Sequence, residues 1–173
     1  ILINPKMSFG TGDHESTRLI SILADKVIMP GSFWIDVGTG TGVLAILGIK
    51  LGAERVYAFD NNEWSVENSK ENFILNGVND KIKIEQRDID DIKLPPADGI
   101  FANLFRHLLL QNFDKFYHSL KQRKGDLLIA GILKYDFEKI KNEAENSGFD
   151  LIDSISENDW IAAHFRIKGS HNE

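Results

Sequence analysis

Cysteine is absent from this 173-residue chain. Its absence excludes disulfides, thiolate zinc sites and cysteine nucleophiles, and no metal site is expected. A basic surplus is missing too: 20 Lys and Arg stand against 26 Asp and Glu, a net charge of −6. Broad binding to a nucleic-acid backbone needs a basic footprint, so no direct nucleic-acid partner is expected. No apolar run approaches the roughly 18 residues of a membrane span, and no basic-then-apolar leader opens the chain. A membrane partner is therefore not expected, and the expected location is cytoplasmic. An initiator Met is also lacking before Ile1-Leu2-Ile3, so the chain is expected to be a piece of a longer protein.

What is present fits one ordinary globular domain: 42% hydrophobic and 27% charged residues, in a length that buries a sizeable core. Residues 4–13 read as a glycine-bearing loop, and a helix is expected from His14 to about Val27. Pro30-Gly31 precedes a strand at 33–37. Further strands are expected near 56–59, 81–86, 99–102 and 126–130, with helices near 42–51, 63–76, 107–121 and 136–147 between them. Such alternation predicts a parallel sheet covered by helices. Phe149 to Ile155 and Trp160 to Ile167 are close enough in sequence to pair as an antiparallel hairpin, which makes the sheet mixed. Residues 169–173 read as a tail.

The chemistry starts at Asp36-Val37-Gly38-Thr39-Gly40-Thr41-Gly42. Glycines serve where backbone must approach a ligand. The following helix turns free N–H groups toward the loop and favours an anionic group there. Asp60, at the end of the next strand and 22 residues after Gly38, suits a pair of ribose hydroxyls. NAD and S-adenosylmethionine both meet this logic. Starting at Gly40, Gly-x-Gly-x-x-Ala45 even meets the dinucleotide pattern loosely. Asp36, two residues before the first glycine, favours S-adenosylmethionine.

Two further stretches carry a family resemblance. One is Phe9-Gly10-Thr11-Gly12-Asp13-His14-Glu15-Ser16-Thr17; the other is Asn103-Leu104 at the end of the fourth strand. With Gly38 to Ile46 they resemble the PrmA family, which methylates large-subunit ribosomal protein number eleven. The likeness covers nearly the whole chain, Glu71-Asn72, Asn76-Gly77-Val78 and Trp160 included. It implies an α/β fold: a Rossmann-like, seven-stranded class I S-adenosylmethionine-dependent methyltransferase sheet, mostly parallel with a C-terminal antiparallel hairpin. Residues 1–13 would be a linker and lid, and 14–168 the catalytic domain. The family's N-terminal substrate-recognition domain is absent from this chain. A ribosomal protein is the implied partner. The oligomeric state stays open.

Residue by residue, the resemblance assigns cofactor contacts to Phe9, Thr17, Gly38, Asp60 and Asn103, and Gly40 belongs to the same loop. Phe9 would lie over the sulfonium, where an aromatic face attracts a cation. Asp88, after the third strand, would reach the adenine amine. Asn103 would orient the accepting amine, the one catalytic assignment. His14 is the alternative base. Trp160, Phe105, Arg106 and His107 are possible walls of the acceptor channel. Asp13 stands where the family has threonine, and Leu104-Phe105 where it has Ile-Leu. Enzymes that methylate planar nitrogens place Asn-Pro-Pro-aromatic at this strand end. Asn103-Leu104-Phe105-Arg106 has no proline, which counts against a nucleic-acid base or a glutamine amide as acceptor.

Overall fold

The computed structural model describes residues 1–6 and 11–169. In chain order these hold α1 (Glu15–Val27), β1 (Phe33–Val37), α2 (Val43–Lys50), β2 (Arg55–Asp60), α3 (Glu63–Leu75), β3 (Ile82–Gln86) and β4 (Gly99–Asn103). Then come α4 (Arg106–Leu120), β5 (Asp126–Leu133), a 3-10 turn at Lys134–Asp136, α5 (Phe137–Asn146), β6 (Phe149–Glu157) and β7 (Trp160–Ile167).

The strands form one seven-stranded sheet in the order β3-β2-β1-β4-β5-β7-β6. Strands β1 to β5 pair in parallel, while β7 is antiparallel to both β5 and β6. This is the expected mixed sheet. The central strands are apolar throughout because both faces are covered. One face packs Ile35, Val37, Ile100 and Ile129 against Leu109, Phe113 and Phe116 of α4 and Ile140 of α5. The other packs Trp34, Val56, Phe101 and Leu128 against Leu19, Ile20 and Leu23 of α1, Leu44 of α2 and Phe73 of α3.

Helix starts follow local capping. Asn62 accepts the N–H groups of Trp64 and Ser65 to open α3, and His14 accepts the N–H of Ser16 to open α1; each satisfies a donor that the helix leaves free. Strand β5 runs three residues beyond the expected Ala130, to Leu133. It continues because a bulge between Ile129 and Ile132 restores pairing, with Ile132 opposite Ile161 and Leu133 opposite Trp160.

Asparagines one turn apart on α3 and at its C-cap fix the first residues of the chain. Asn76 Oδ1 accepts the Leu2 N–H, Asn72 Oδ1 accepts the Asn4 N–H, and Asn68 Nδ2 donates to the Pro5 carbonyl, each at 2.9 Å. Asn72 also donates to the Thr41 carbonyl at 2.9 Å, so the same side chain reaches the glycine loop.

Candidate functional site

The carboxyl ends of β1, β2 and β4 open on a cavity of about 490 Å³, an ordinary size for a small-ligand site. The strand order reverses between β1 and β4, the switch point at which open α/β sheets bind ligands.

The loop after β1 is held by its glycines. Gly38, Gly40 and Gly42 have φ of +67°, +57° and +85°, in the left-handed region that glycine tolerates. The N–H groups of Gly38 and Thr39 both donate to the Phe59 carbonyl at 3.0 Å. Beneath the loop lies Asp36, 1% exposed. Its Oδ2 accepts the Thr39 hydroxyl at 2.6 Å and the Ala45 N–H at 3.1 Å. Burial pushes the Asp36 carboxyl up to about 7, against the pull of these two hydrogen bonds, and the charge of Asp60 adds to the rise. Asp36 thus serves as a strut for the loop.

Asp60 joins the loop to β2. Its Oδ2 accepts the Gly40 N–H and its Oδ1 the Asn62 N–H, both at 3.0 Å. Each oxygen keeps a further lone pair, which matches two neighbouring ribose hydroxyls. Asp88, after β3, accepts the Asp90 N–H at 3.0 Å. That bond, then one from Asn61, holds its carboxyl below the usual range. Buried Ile89 beside it offers an apolar surface for a base.

Thr17 on α1 is 2% exposed, and its hydroxyl has no hydrogen-bond partner among the described residues. An unpaired buried hydroxyl costs about 1–3 kcal/mol; here it lines the cavity, where a polar ligand atom would satisfy it. Asn103, half-buried at the end of β4, lines the same cavity. Trp160 and His14 close one side as an edge-to-face pair with ring centroids 4.7 Å apart. His14 Nδ1 accepts the Ser16 N–H at 3.1 Å, which leaves the proton of the neutral ring on Nε2. His14 thereby caps the start of α1. At the rim, Phe105 is exposed and stacks with His107, while Arg106 pairs with Asp136 at 2.6 Å.

The cavity therefore gathers Thr17, Gly38, Gly40, Asp60, Asp88 and Asn103. Phe9 lies outside the described residues. Sequence reasoning missed Ser65, Ile89 and Gly131, which line it too. Ile89 was reachable as the neighbour of Asp88; the other two carry no local pattern. No group of three or more metal-ligating side chains occurs among the described residues, and no described helix is long and apolar enough to cross a membrane. The donor set fits S-adenosylmethionine: a carboxylate for the ribose, an apolar floor for the base, glycine backbone beside the loop, and an unpaired hydroxyl deeper in.

Comparison with known proteins agrees. The family model for ribosomal protein L11 methyltransferase (PrmA) matches residues 1–168. A ribosomal protein L11 methyltransferase of Acetivibrio thermocellus is 36% identical over 170 residues, which are 98% of this chain and 54% of that protein. One from Bacteroides fragilis is 40% identical over 167 residues, 95% of this chain and 59% of its own length. The chain thus spans little more than half of these relatives. The crystal structure of a ribosomal protein L11 methylase from Lactobacillus delbrueckii subsp. bulgaricus superposes with a TM-score of 0.85 at 27% identity, covering 96% of this chain and 84% of that one. The structural superposition, a cavity at the switch point of the sheet and a family match over nearly every residue lead to one assignment: the chain belongs to the PrmA family of ribosomal protein L11 methyltransferases.

Proposed function

We propose that this chain is the catalytic part of an enzyme that moves methyl groups from S-adenosylmethionine to amino groups, lysine side chains in particular, of ribosomal protein L11. The observation that carries the reading is the place of Asn103. It stands at the end of β4, in one cavity with Asp60, the glycine loop and Thr17. The family names of the relatives point to the same acceptor protein.

The cofactor supplies a methyl already bonded to a positive sulfur. The chain's task is alignment and exclusion of water. Asp60 and the Gly38–Gly42 loop hold the nucleoside end, Asp88 and Ile89 take the base, and Thr17 binds a polar atom. Trp160 and Leu108 give the acceptor side apolar walls. Such walls lower the pKa of an entering lysine from its reference of about 10.4 and free its lone pair. Asn103 orients the amine. Among the described residues none on the acceptor side is placed as a strong base, and the proton leaves to solvent.

The test uses the full-length enzyme with S-adenosylmethionine and purified ribosomal protein L11, read by mass spectrometry. Gains of one methyl mass or its multiples on lysine peptides are expected; an acceptor of unchanged mass rejects the reading. Asn103→Ala should lower kcat by roughly ten- to a hundredfold and weaken binding of S-adenosylhomocysteine by less than that.

A further inference from the structure

Asn72 of α3 is fully buried and bonds in two directions. Toward the start of the chain, its Oδ1 accepts the Asn4 N–H at 2.9 Å and its Nδ2 donates to the Asn4 carbonyl at 3.3 Å. Toward the glycine loop, the same Nδ2 donates to the Thr41 carbonyl at 2.9 Å. The amide has one satisfied orientation: its oxygen meets the N–H donor and its nitrogen meets the two carbonyls. Four positions on, Asn76 grips Leu2 through the same pair of bonds, at 2.9 and 2.7 Å. The repeat is geometric. Pro5 biases Asn4 toward extended backbone. Two extended residues advance about 6.6 Å and four helical residues about 6 Å, so residues 4 and 2 stay in step with positions 72 and 76. Asn68 adds its bond to the Pro5 carbonyl. Residues 2–5 thus form a strap along α3. Neither the strap nor Asn72 lines the cavity.

The contact at Thr41 shapes the glycine loop. A peptide unit moves as a plane, so holding the Thr41 carbonyl also aims the Gly42 N–H, which closes on the Thr39 carbonyl at 2.9 Å. Gly42, at a φ of +85°, tolerates other settings of that plane. Hydrogen bonding therefore selects the setting, and Asn72 supplies the donor. We propose that Asn72 is a positioning residue of the cofactor site, holding the glycine loop in its binding shape while residues 2–5 lie along α3, so that docking of the strap and binding of the cofactor strengthen each other. This rests on the function proposed above and deepens it, because it names a control on the same site. With the strap in place, the Asn4 N–H fixes the Asn72 amide and its Nδ2 stays on Thr41. With the strap away, the amide rotates freely and the Thr41 carbonyl loses this donor. The 41–42 peptide is then released next to Gly38, Gly40 and Asp60, which line the cavity. A cofactor that holds the loop from the cavity side keeps Thr41 where Asn72 meets it, and the coupling is reciprocal by thermodynamic necessity.

Asn72 acts through Thr41, so its test needs a readout that a merely structural role would not move. In the full-length enzyme, saturation with S-adenosylhomocysteine should slow amide hydrogen exchange at residues 2–4 several-fold, although the strap lies outside the cavity. Exchange there that ignores the ligand overturns the coupling, and this arm needs no variant. Asn4→Pro removes the N–H that Asn72 accepts and keeps the carbonyl. By calorimetry it should bind S-adenosylhomocysteine about fivefold more weakly or worse. Asn72→Ala should lose at least as much. The double variant should bind within about twofold of Asn72→Ala, because the strap acts through that side chain. Unchanged affinity in Asn4→Pro, or losses that multiply in the double variant, overturns the proposal. Should Asn72→Ala fail to fold, the exchange measurement and Asn4→Pro decide. Failure of the unmodified enzyme to bind S-adenosylhomocysteine would instead reject the function on which the coupling rests.

Discussion

Asp60 Oδ2 accepts the backbone N–H of Gly40 at 3.0 Å. The carboxylate that ends β2 therefore braces the glycine loop that ends β1. Both line the cavity at the switch point of the sheet.

Removing the brace should harm binding in two ways. Asp60→Ala removes the carboxylate proposed to hold the ribose and frees the loop from its bond to Gly40. Calorimetry with S-adenosylhomocysteine should show about 1–3 kcal/mol of lost affinity, the scale of hydrogen bonds to a charged group. Asp60→Asn keeps a carbonyl oxygen for Gly40, so its loss should be the smaller. Equal affinity in Asp60→Ala and the parent would take Asp60 out of the site.

Gly42 predicts a stability effect. Its φ is +85°, and a Cβ would fall 2.4 Å from Phe73 Cε1 and 3.1 Å from Ser69 Cβ. Phe73 is 1% exposed, in the core beneath α2 and α3, so it has little room to yield. Gly42→Ala combines left-handed strain with overpacking and should cost about 2–4 kcal/mol. For a chain of this size the melting temperature should fall by roughly 5–15 °C. A melting temperature within about two degrees of the parent would show that Phe73 moves freely.

Much of this architecture was legible in the sequence because it is written in local patterns. Apolar runs ending in Asp60 and Asn103, the spaced glycines and the Asn76-Gly77 stop are signals that neighbours in sequence carry themselves. Strand β5 was read too short because Gly131 looks like a strand end, whereas β7 pairs past it. Asp36 marks the loop in the sequence, but that its carboxyl turns under the loop toward Thr39 and Ala45 is visible only in the structure. Asn68, Asn72 and Asn76 clamp residues 2–5 through bonds that span more than sixty positions, and no local pattern announces a contact of that range.

Thr17 separates ligand binding from stability. Its hydroxyl is buried without a partner among the described residues, so Val, of nearly equal shape, removes a penalty from the unliganded protein. Thr17→Val should melt at the same or a higher temperature, gaining up to about 1–2 kcal/mol, and should bind S-adenosylhomocysteine several-fold more weakly. A variant that binds as tightly as the parent would leave Thr17 as a packing residue only.

Asp36 sets a pH dependence of unusual sign. Its carboxyl is held near 7 in the folded chain, chiefly by burial, against about 3.9 when exposed. Between those values the folded chain keeps a proton that the unfolded chain has released. Stability from this group therefore falls as the pH rises from about 4 to about 7, and it is flat above that. Asp36→Asn retains an oxygen for the Thr39 hydroxyl and the Ala45 N–H but has no charge to bury. Denaturant unfolding of the two proteins across pH isolates the group, because every other titration cancels in the difference. The variant should be more stable at pH 8, by an amount on the order of a few kcal/mol, since one unit of pKa is worth about 1.4 kcal/mol. Its advantage should shrink steadily toward pH 4. A difference that stays constant across that range would mean that Asp36 is charged throughout, with its two hydrogen bonds outweighing the cost of burial.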